Sequence, residues 1–297
     1  MRRLLMGITA WLLGGVILSG ATELPANKVV STEWLQAHLE APDLRIVDVR
    51  GDVIPYWEGH IPGAVYLNPE TLRLPHRGVP VMLLDPELLA EKLGALGITP
   101  ETNVVVYTET GDYKAPFLIW ALDYIGHDRA AVLEGGFGKW VAEGRPVTQD
   151  YPTIEPTEYP EPKQVRDELR TTLEEMLHVY RDPEVAKLDV RATPLYTGER
   201  GFWKRNGHVP GFKGHFWGDD LNPDGTWKSV EELQQAYAAL GVTPEKRIVV
   251  MCGQGLMSAH AYFTLRYILG YPNVENYDGG YHEWVAHDDL PVVTGSE

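Results

Sequence analysis

The sequence predicts an α/β protein made of two tandem copies of one domain, each a parallel sheet flanked by helices. Three observations carry this. Motifs recur in the same order at a nearly fixed offset, short apolar strands alternate with helical stretches, and a proline-rich acidic stretch separates the halves.

Arg2 and Arg3 precede an uncharged stretch from Leu4 to Thr22. Its apolar part, Leu4–Leu18, is short for the roughly 20 residues of a membrane span. Ser19-Gly20-Ala21 then offers the small residues a signal peptidase reads, so 1–21 is expected to be a cleaved export signal. The mature chain is then expected in the periplasm, without stable membrane insertion. The first domain is expected over 28–148. There Arg45–Val49 reads as a strand, Pro86–Leu96 as a helix capped by Asp85 and stopped by Gly97, and Asn103–Tyr107 as a strand buried on both faces. Ala115–Ile125 reads as a helix ended by Gly126, and Ala131–Leu133 as a strand. Residues 149–162 hold Pro152, Pro156, Pro160 and Pro162 among acidic residues, an extended connector. The second domain, 163–294, repeats the plan: strands at Lys187–Val190, Arg247–Met251 and Val274–Tyr277, helices at Ser229–Leu240 and Met257–Leu269.

The repeat is explicit. Leu96–Glu101 recurs as Leu240–Glu245, an offset of 144 that holds for Val104–Val106 against Ile248–Val250 and for Glu134-Gly135-Gly136 against Asp278-Gly279-Gly280. Trp140 matches Trp284, and with Trp120 these tryptophans read as core. Asp48-Val49-Arg50 matches Asp189-Val190-Arg191, and Gly59–Gly63 matches Gly207–Gly211. Between those two motifs the second copy carries seven extra residues, among them Lys204 and Arg205.

Composition narrows the function classes. The chain has 297 residues, 44% apolar and 23% charged, as in an ordinary globular protein. With 26 basic and 42 acidic residues its net charge is −16, which repels phosphate backbones and argues against nucleic acid as a partner. One cysteine, Cys252, cannot form an internal disulfide or a cysteine-rich zinc site, and no His-Glu-x-x-His motif occurs. No metal and no cofactor are expected.

Cys252 directly follows the apolar strand and is followed by Gly253-Gln254-Gly255-Leu256-Met257-Ser258 and a helix. In open parallel sheets the carboxyl ends of the strands are where ligands bind. The glycines let backbone N–H groups converge on one point, and the helix start adds partial positive charge. Both favour a thiolate and an anionic sulfur bonded to it. The first copy has Thr108 at the equivalent place, beside Glu109 and Asp112, so its expected role is packing and walling the site.

An Asp-x-Arg strand end, a Gly-His-[Ile/Val]-Pro-Gly segment, a strand–Cys–loop–helix and an acidic-Gly-Gly…Trp…Pro-Val ending, in this order and twice over, resemble the rhodanese family. The resemblance spans nearly all of the chain after residue 21. It implies two rhodanese-like domains, the first inactive and the second active, and a sulfurtransferase. The loop Cys252–Met257 looks more like the uncharged Cys-Gly-Ser/Thr-Gly-Val-Thr loop of 3-mercaptopyruvate sulfurtransferases than the basic Cys-Arg-Lys-Gly-Val-Thr loop of thiosulfate sulfurtransferases. Gln254 and Met257 depart from that pattern, and Leu195 stands where a second arginine often follows the Asp-x-Arg motif.

The implied chemistry is attack by Cys252 on the outer sulfur of a small donor, thiosulfate or 3-mercaptopyruvate. A Cys252 persulfide forms and passes its sulfur to a thiol or cyanide. The amides of Gly253, Gln254, Gly255, Leu256, Met257 and Ser258 would hold the anionic sulfur. By the resemblance Arg191 would bind the donor's anionic group, while its own spacing fits equally an ion pair with Asp189. His60 would face the Cys252 loop across the domain boundary, although its repeat partner His208 argues for a structural residue, and His260 reads as surface or packing. Two rivals remain. A persulfide carrier serving a protein partner would share Cys252. A cysteine phosphatase needs Cys-x5-Arg, but the sixth residue after Cys252 is Ser258 and the next arginine is Arg266.

Overall fold

The computed structural model describes residues 22–296. The expected export signal lies at 1–21, outside the described residues. The first copy runs β1 (Val29–Val30), α1 (Thr32–Ala37), β2 (Leu44–Asp48), α2 (Val53–Glu58), β3 (Val65–Tyr66), β4 (Arg73–His76), β5 (Val79–Leu83), α3 (Pro86–Ala95), β6 (Asn103–Tyr107), α4 (Lys114–Tyr124), β7 (Ala130–Leu133) and α5 (Gly136–Ala142). The second runs β8 (Arg170–Thr171), α6 (Leu173–Val179), β9 (Ala186–Asp189), α7 (Thr193–Tyr196), β10 (Lys213–Gly214), α8 (Val230–Ala239), β11 (Ile248–Met251), α9 (Ser258–Phe263), β12 (Val274–Tyr277) and α10 (Gly280–Ala286).

Each copy forms a five-stranded, wholly parallel sheet, and the orders correspond: β3-β2-β6-β7-β1 in the first, β10-β9-β11-β12-β8 in the second. The central strands β6 and β11 are buried along their whole length, which is why they read as unbroken apolar runs. The smallest details repeat as well. Arg50 pairs with Asp48 at 2.7 Å and donates to the Gly59 carbonyl, as Arg191 pairs with Asp189 at 2.5 Å and donates to the Gly207 carbonyl. His60 and His208 each place Nδ1 2.9 Å from a carbonyl, of Tyr56 and of Tyr196. Trp140 and Trp284, like Trp120, are buried, and their indole N–H groups donate to Pro146 and Pro291 carbonyls.

Two features differ from the sequence reading. Residues 73–83 form an antiparallel hairpin, β4–β5, turning at Arg77 (φ 48°) and Gly78 (φ 86°). The helix expected over Met257–Leu269 is instead α9 followed by a π-helical turn, Thr264–Ile268. The wider turn lets Tyr262 and Tyr267, five residues apart, both donate to Asp123 Oδ2, at 3.0 and 2.7 Å. Asp123 belongs to α4, which packs along α9, and its other oxygen accepts from Lys28 Nζ at 2.6 Å. The two domains are thus joined by a helix pair with a buried carboxylate at its centre.

Candidate active site

Cys252 directly follows β11 and is 1% exposed, with Asp189 of β9 and Tyr277 of β12 aligned beside the last strand residue, Met251. Its carbonyl accepts from Tyr281 N–H at 2.8 Å, and the Gly253 carbonyl accepts from His282 N–H at 2.9 Å, so α10 holds the loop by its carbonyls. None of the N–H groups of residues 253–257 donates to another group among the described residues. Ser258, the first residue of α9, lies with Oγ 3.5 Å from Cys252 Sγ and 2.6 Å from Asn276 Oδ1. Asn276 Nδ2 in turn donates to the Gly255 carbonyl at 2.9 Å.

The loop glycines have a packing role that the sequence reading did not give them. Gly255 has φ +76°, and a Cβ there would sit 2.5 Å from the Asp278 carbonyl oxygen and 2.6 Å from its carboxylate. A Cβ on Gly253 would meet the Trp203 ring at 2.9 Å. The acidic-Gly-Gly motif is explained the same way. Gly280 (φ +59°) presses on the Cys252 carbonyl and Gln254 N, and its counterpart Gly136 (φ +61°) presses on the Thr108 and Glu109 carbonyls.

The first domain completes the site through residues that sequence reasoning missed. Arg73, at the start of β4, donates from Nη2 to the Gln254 carbonyl at 2.7 Å and from Nη1 to Glu70 at 3.0 Å. Leu83 N–H, at the end of β5, donates to Asp278 Oδ2 at 2.9 Å, and Arg170 Nη2 donates to the same oxygen at 2.8 Å. Burial pushes the Asp278 carboxyl up despite Arg170. Tyr113, before α4, has its hydroxyl raised by burial first and then by the neighbouring Asp112. Only the Arg77-Gly78 turn signal could have revealed the hairpin; its contact with the loop is purely tertiary.

The remaining candidates distribute as follows. Arg191 is buried, its Nε and Nη2 spent on Asp189 and Gly207, with its guanidinium 3.9 Å from the Tyr281 ring centre and 5.2 Å from that of Trp203. The ion pair expected from spacing is therefore present, and Nη1 is left without a partner among the described residues. His60 does not meet the Cys252 loop: it stacks on Tyr56, and its Nε2 lies 3.2 Å from the Asp150 carbonyl, because the repeat uses this histidine to close the Gly-His-x-Pro-Gly turn. His260 is buried between the Trp217 and Trp227 rings. Arg205 donates to the Leu290 and His287 carbonyls, and Lys204 pairs with Asp288 on the surface.

At Thr108 the first-copy loop faces the turn Leu221–Trp227 of the second domain. A Cβ on Gly225 would come 2.6 Å from Gly111 N, and the space left between them is a cavity of about 20 Å³.

A strand–Cys–loop–helix at the sheet edge, built twice with one thiol, defines a class. The sequence matches the Rhodanese-like domain family over residues 31–143 and again over 172–287, and the chain belongs to that family. By that membership it is a sulfurtransferase. It is 37% identical over 282 residues to the sulfur carrier protein TtuD of Thermus thermophilus, covering 91% of this chain and 97% of that one. It is 33% identical over 279 residues to a thiosulfate sulfurtransferase of Corynebacterium glutamicum, covering 91% of each. A third relative, the thiosulfate sulfurtransferase of Azotobacter vinelandii, is 34% identical over 264 residues, 89% of this chain and 96% of that one. Among solved structures, the anaerobic ergothioneine biosynthesis enzyme of Chlorobium limicola superposes with a TM-score of 0.81 at 25% identity, over 91% of this chain and 71% of that one.

Proposed function

We propose that this protein moves a sulfane sulfur from a small anionic donor, thiosulfate or 3-mercaptopyruvate, through a persulfide on Cys252 to a thiol or cyanide. The observation that carries this is the chain's one thiol just past the end of β11, beside loop amides of residues 253–257 that have no acceptor among the described residues. The Cys252 thiolate attacks the donor's outer sulfur. The bond from that sulfur to the rest of the donor breaks: sulfite leaves with the electron pair, or the pyruvate enolate takes the pair and then, at carbon, the proton of the donor thiol, and leaves as pyruvate. The anionic outer sulfur then lies where the loop amides can donate to it. An acceptor thiolate attacks that sulfur, the S–S bond breaks, and Cys252 leaves as thiolate.

The first domain, lacking a thiol, serves in this reading as the wall that holds the loop through Arg73. Arg191 supports the site beside Trp203, with Nη1 as its one donor atom left without a partner among the described residues. Arg2, Arg3 and the apolar run after them support export to the periplasm.

A second reading, delivery of the sulfur to a protein partner, is favoured by the likeness to a protein named as a sulfur carrier. One experiment tests both. After treatment with each donor, the intact protein is expected to gain the mass of one sulfur at Cys252, and Cys252→Ser to gain none. Steady-state production of sulfide from a thiol acceptor, or of thiocyanate from cyanide, marks the enzyme. Loading without such turnover marks the carrier, and no loading with either donor refutes both.

A further inference from the structure

We infer that the Ser258 hydroxyl is a shared donor that stabilises Cys252 as the leaving group when sulfur is handed to the acceptor. This rests on the persulfide reading above.

The Asn276 side chain has a fixed orientation, because its Nδ2 donates to the Gly255 carbonyl at 2.9 Å. Oδ1 therefore faces Ser258, and at 2.6 Å it accepts the hydroxyl proton. The same hydroxyl oxygen is 3.5 Å from Cys252 Sγ. Ser258 and Asn276 are fully buried and Cys252 is 1% exposed. A serine hydroxyl has one proton, so it can serve the amide oxygen or the sulfur, but not both at once.

Which one it serves follows from the charge on Sγ. In the persulfide the negative charge sits on the outer sulfur, Sγ is a neutral and poor acceptor, and the proton stays on Asn276. When the acceptor thiolate bonds to the outer sulfur, the S–S bond breaks and its electron pair goes to Sγ. Sγ then carries a full charge in a site closed to water. Hydrogen bonds to ionised groups are about twice as strong as neutral ones, so the hydroxyl turns about its Cβ–Oγ bond and donates to sulfur. No proton is transferred. An interaction that strengthens only as the reaction proceeds accelerates that step. In the loading step the same bond is given up as Sγ attacks, so the hydroxyl does not help there.

The repeat provides an independent comparison. At the 144-residue offset, Ser258 corresponds to Lys114 and Asn276 to Val132. The pair is absent from the copy that has no thiol, although the helix start and the strand that would carry it are both kept.

The test is single-turnover kinetics of the two half-reactions in wild type, Ser258→Ala and Ser258→Thr, with thiosulfate or 3-mercaptopyruvate as donor and dithiothreitol as acceptor. Ser258→Ala is expected to discharge about tenfold more slowly or worse, the size of a lost hydrogen bond to a charged group, while loading is unchanged or faster. Ser258→Thr, which keeps the hydroxyl, is expected to restore discharge, and thermal unfolding checks that each variant is folded. Discharge in Ser258→Ala within twofold of wild type, or both half-reactions slowed by one factor, overturns the inference. A wild-type protein that takes no sulfur from either donor overturns the functional reading instead.

Discussion

His260 shows how far one side chain's surroundings decide its chemistry. It lies between two tryptophan rings, neither ring nitrogen has a hydrogen-bond partner among the described residues, and burial pulls its pKa down to about 4. The unfolded chain binds a proton at this histidine below about pH 6.5, and the folded chain does so only near 4. Its contribution to stability is therefore present above pH 6.5 and lost as pH falls towards 4, about 3 kcal/mol for this group alone. Asp278 and Glu283 act with the opposite sign, since burial raises both carboxyls. Urea unfolding of wild type and His260→Phe at pH 7 and pH 5 isolates the histidine: the variant is expected to lose less stability on acidification, and an equal loss would assign the effect elsewhere. The sequence left His260 open between surface and packing, because a histidine at the start of an apolar helix reads alike on either face; the structure takes the packing side. The Arg191–Asp189 pair, by contrast, was legible, since its twin Arg50–Asp48 stands in a copy without a thiol.

At the scale of elements, the reactive loop is shaped by what presses on it from outside. Gly255→Ala would force a side chain onto positive φ and into Asp278, whose carboxylate also anchors Leu83 and Arg170. Sulfur transfer is expected to fall by at least tenfold and the melting temperature by several degrees, for a cost of about 1–3 kcal/mol from backbone strain alone. Unchanged activity in a steady-state assay would mean that the loop is not held in this conformation. The strands, helices and their order were readable because burial on both faces leaves unbroken apolar runs such as Val104–Val106 and Ile248–Val250. The hairpin β4–β5 was not, since it is short and half-exposed and is defined by its neighbours rather than by its own pattern. With it went Arg73, whose part in the site depends on a partner 181 residues away.

At the scale of the whole molecule, the contact between α4 and α9 centres on Asp123, where Lys28, Tyr262 and Tyr267 meet one buried carboxylate between the domains. Asp123→Ala leaves a buried lysine without its anion and is expected to cost about 3–5 kcal/mol. Chemical denaturation should then separate into two transitions, because the α4–α9 contact loses its polar centre; a single transition with an unchanged midpoint would show that the domains are coupled elsewhere. The repeat made both halves legible, but not how they face each other, and that facing settles the fate of the first copy's loop. The turn Leu221–Trp227 abuts it so closely that the gap of about 20 Å³ suits a single water molecule. Writing a cysteine into position 108 would thus return the missing atom but not the doorway. The first copy's loop is closed off by the second domain's turn, and a thiol there would meet no donor.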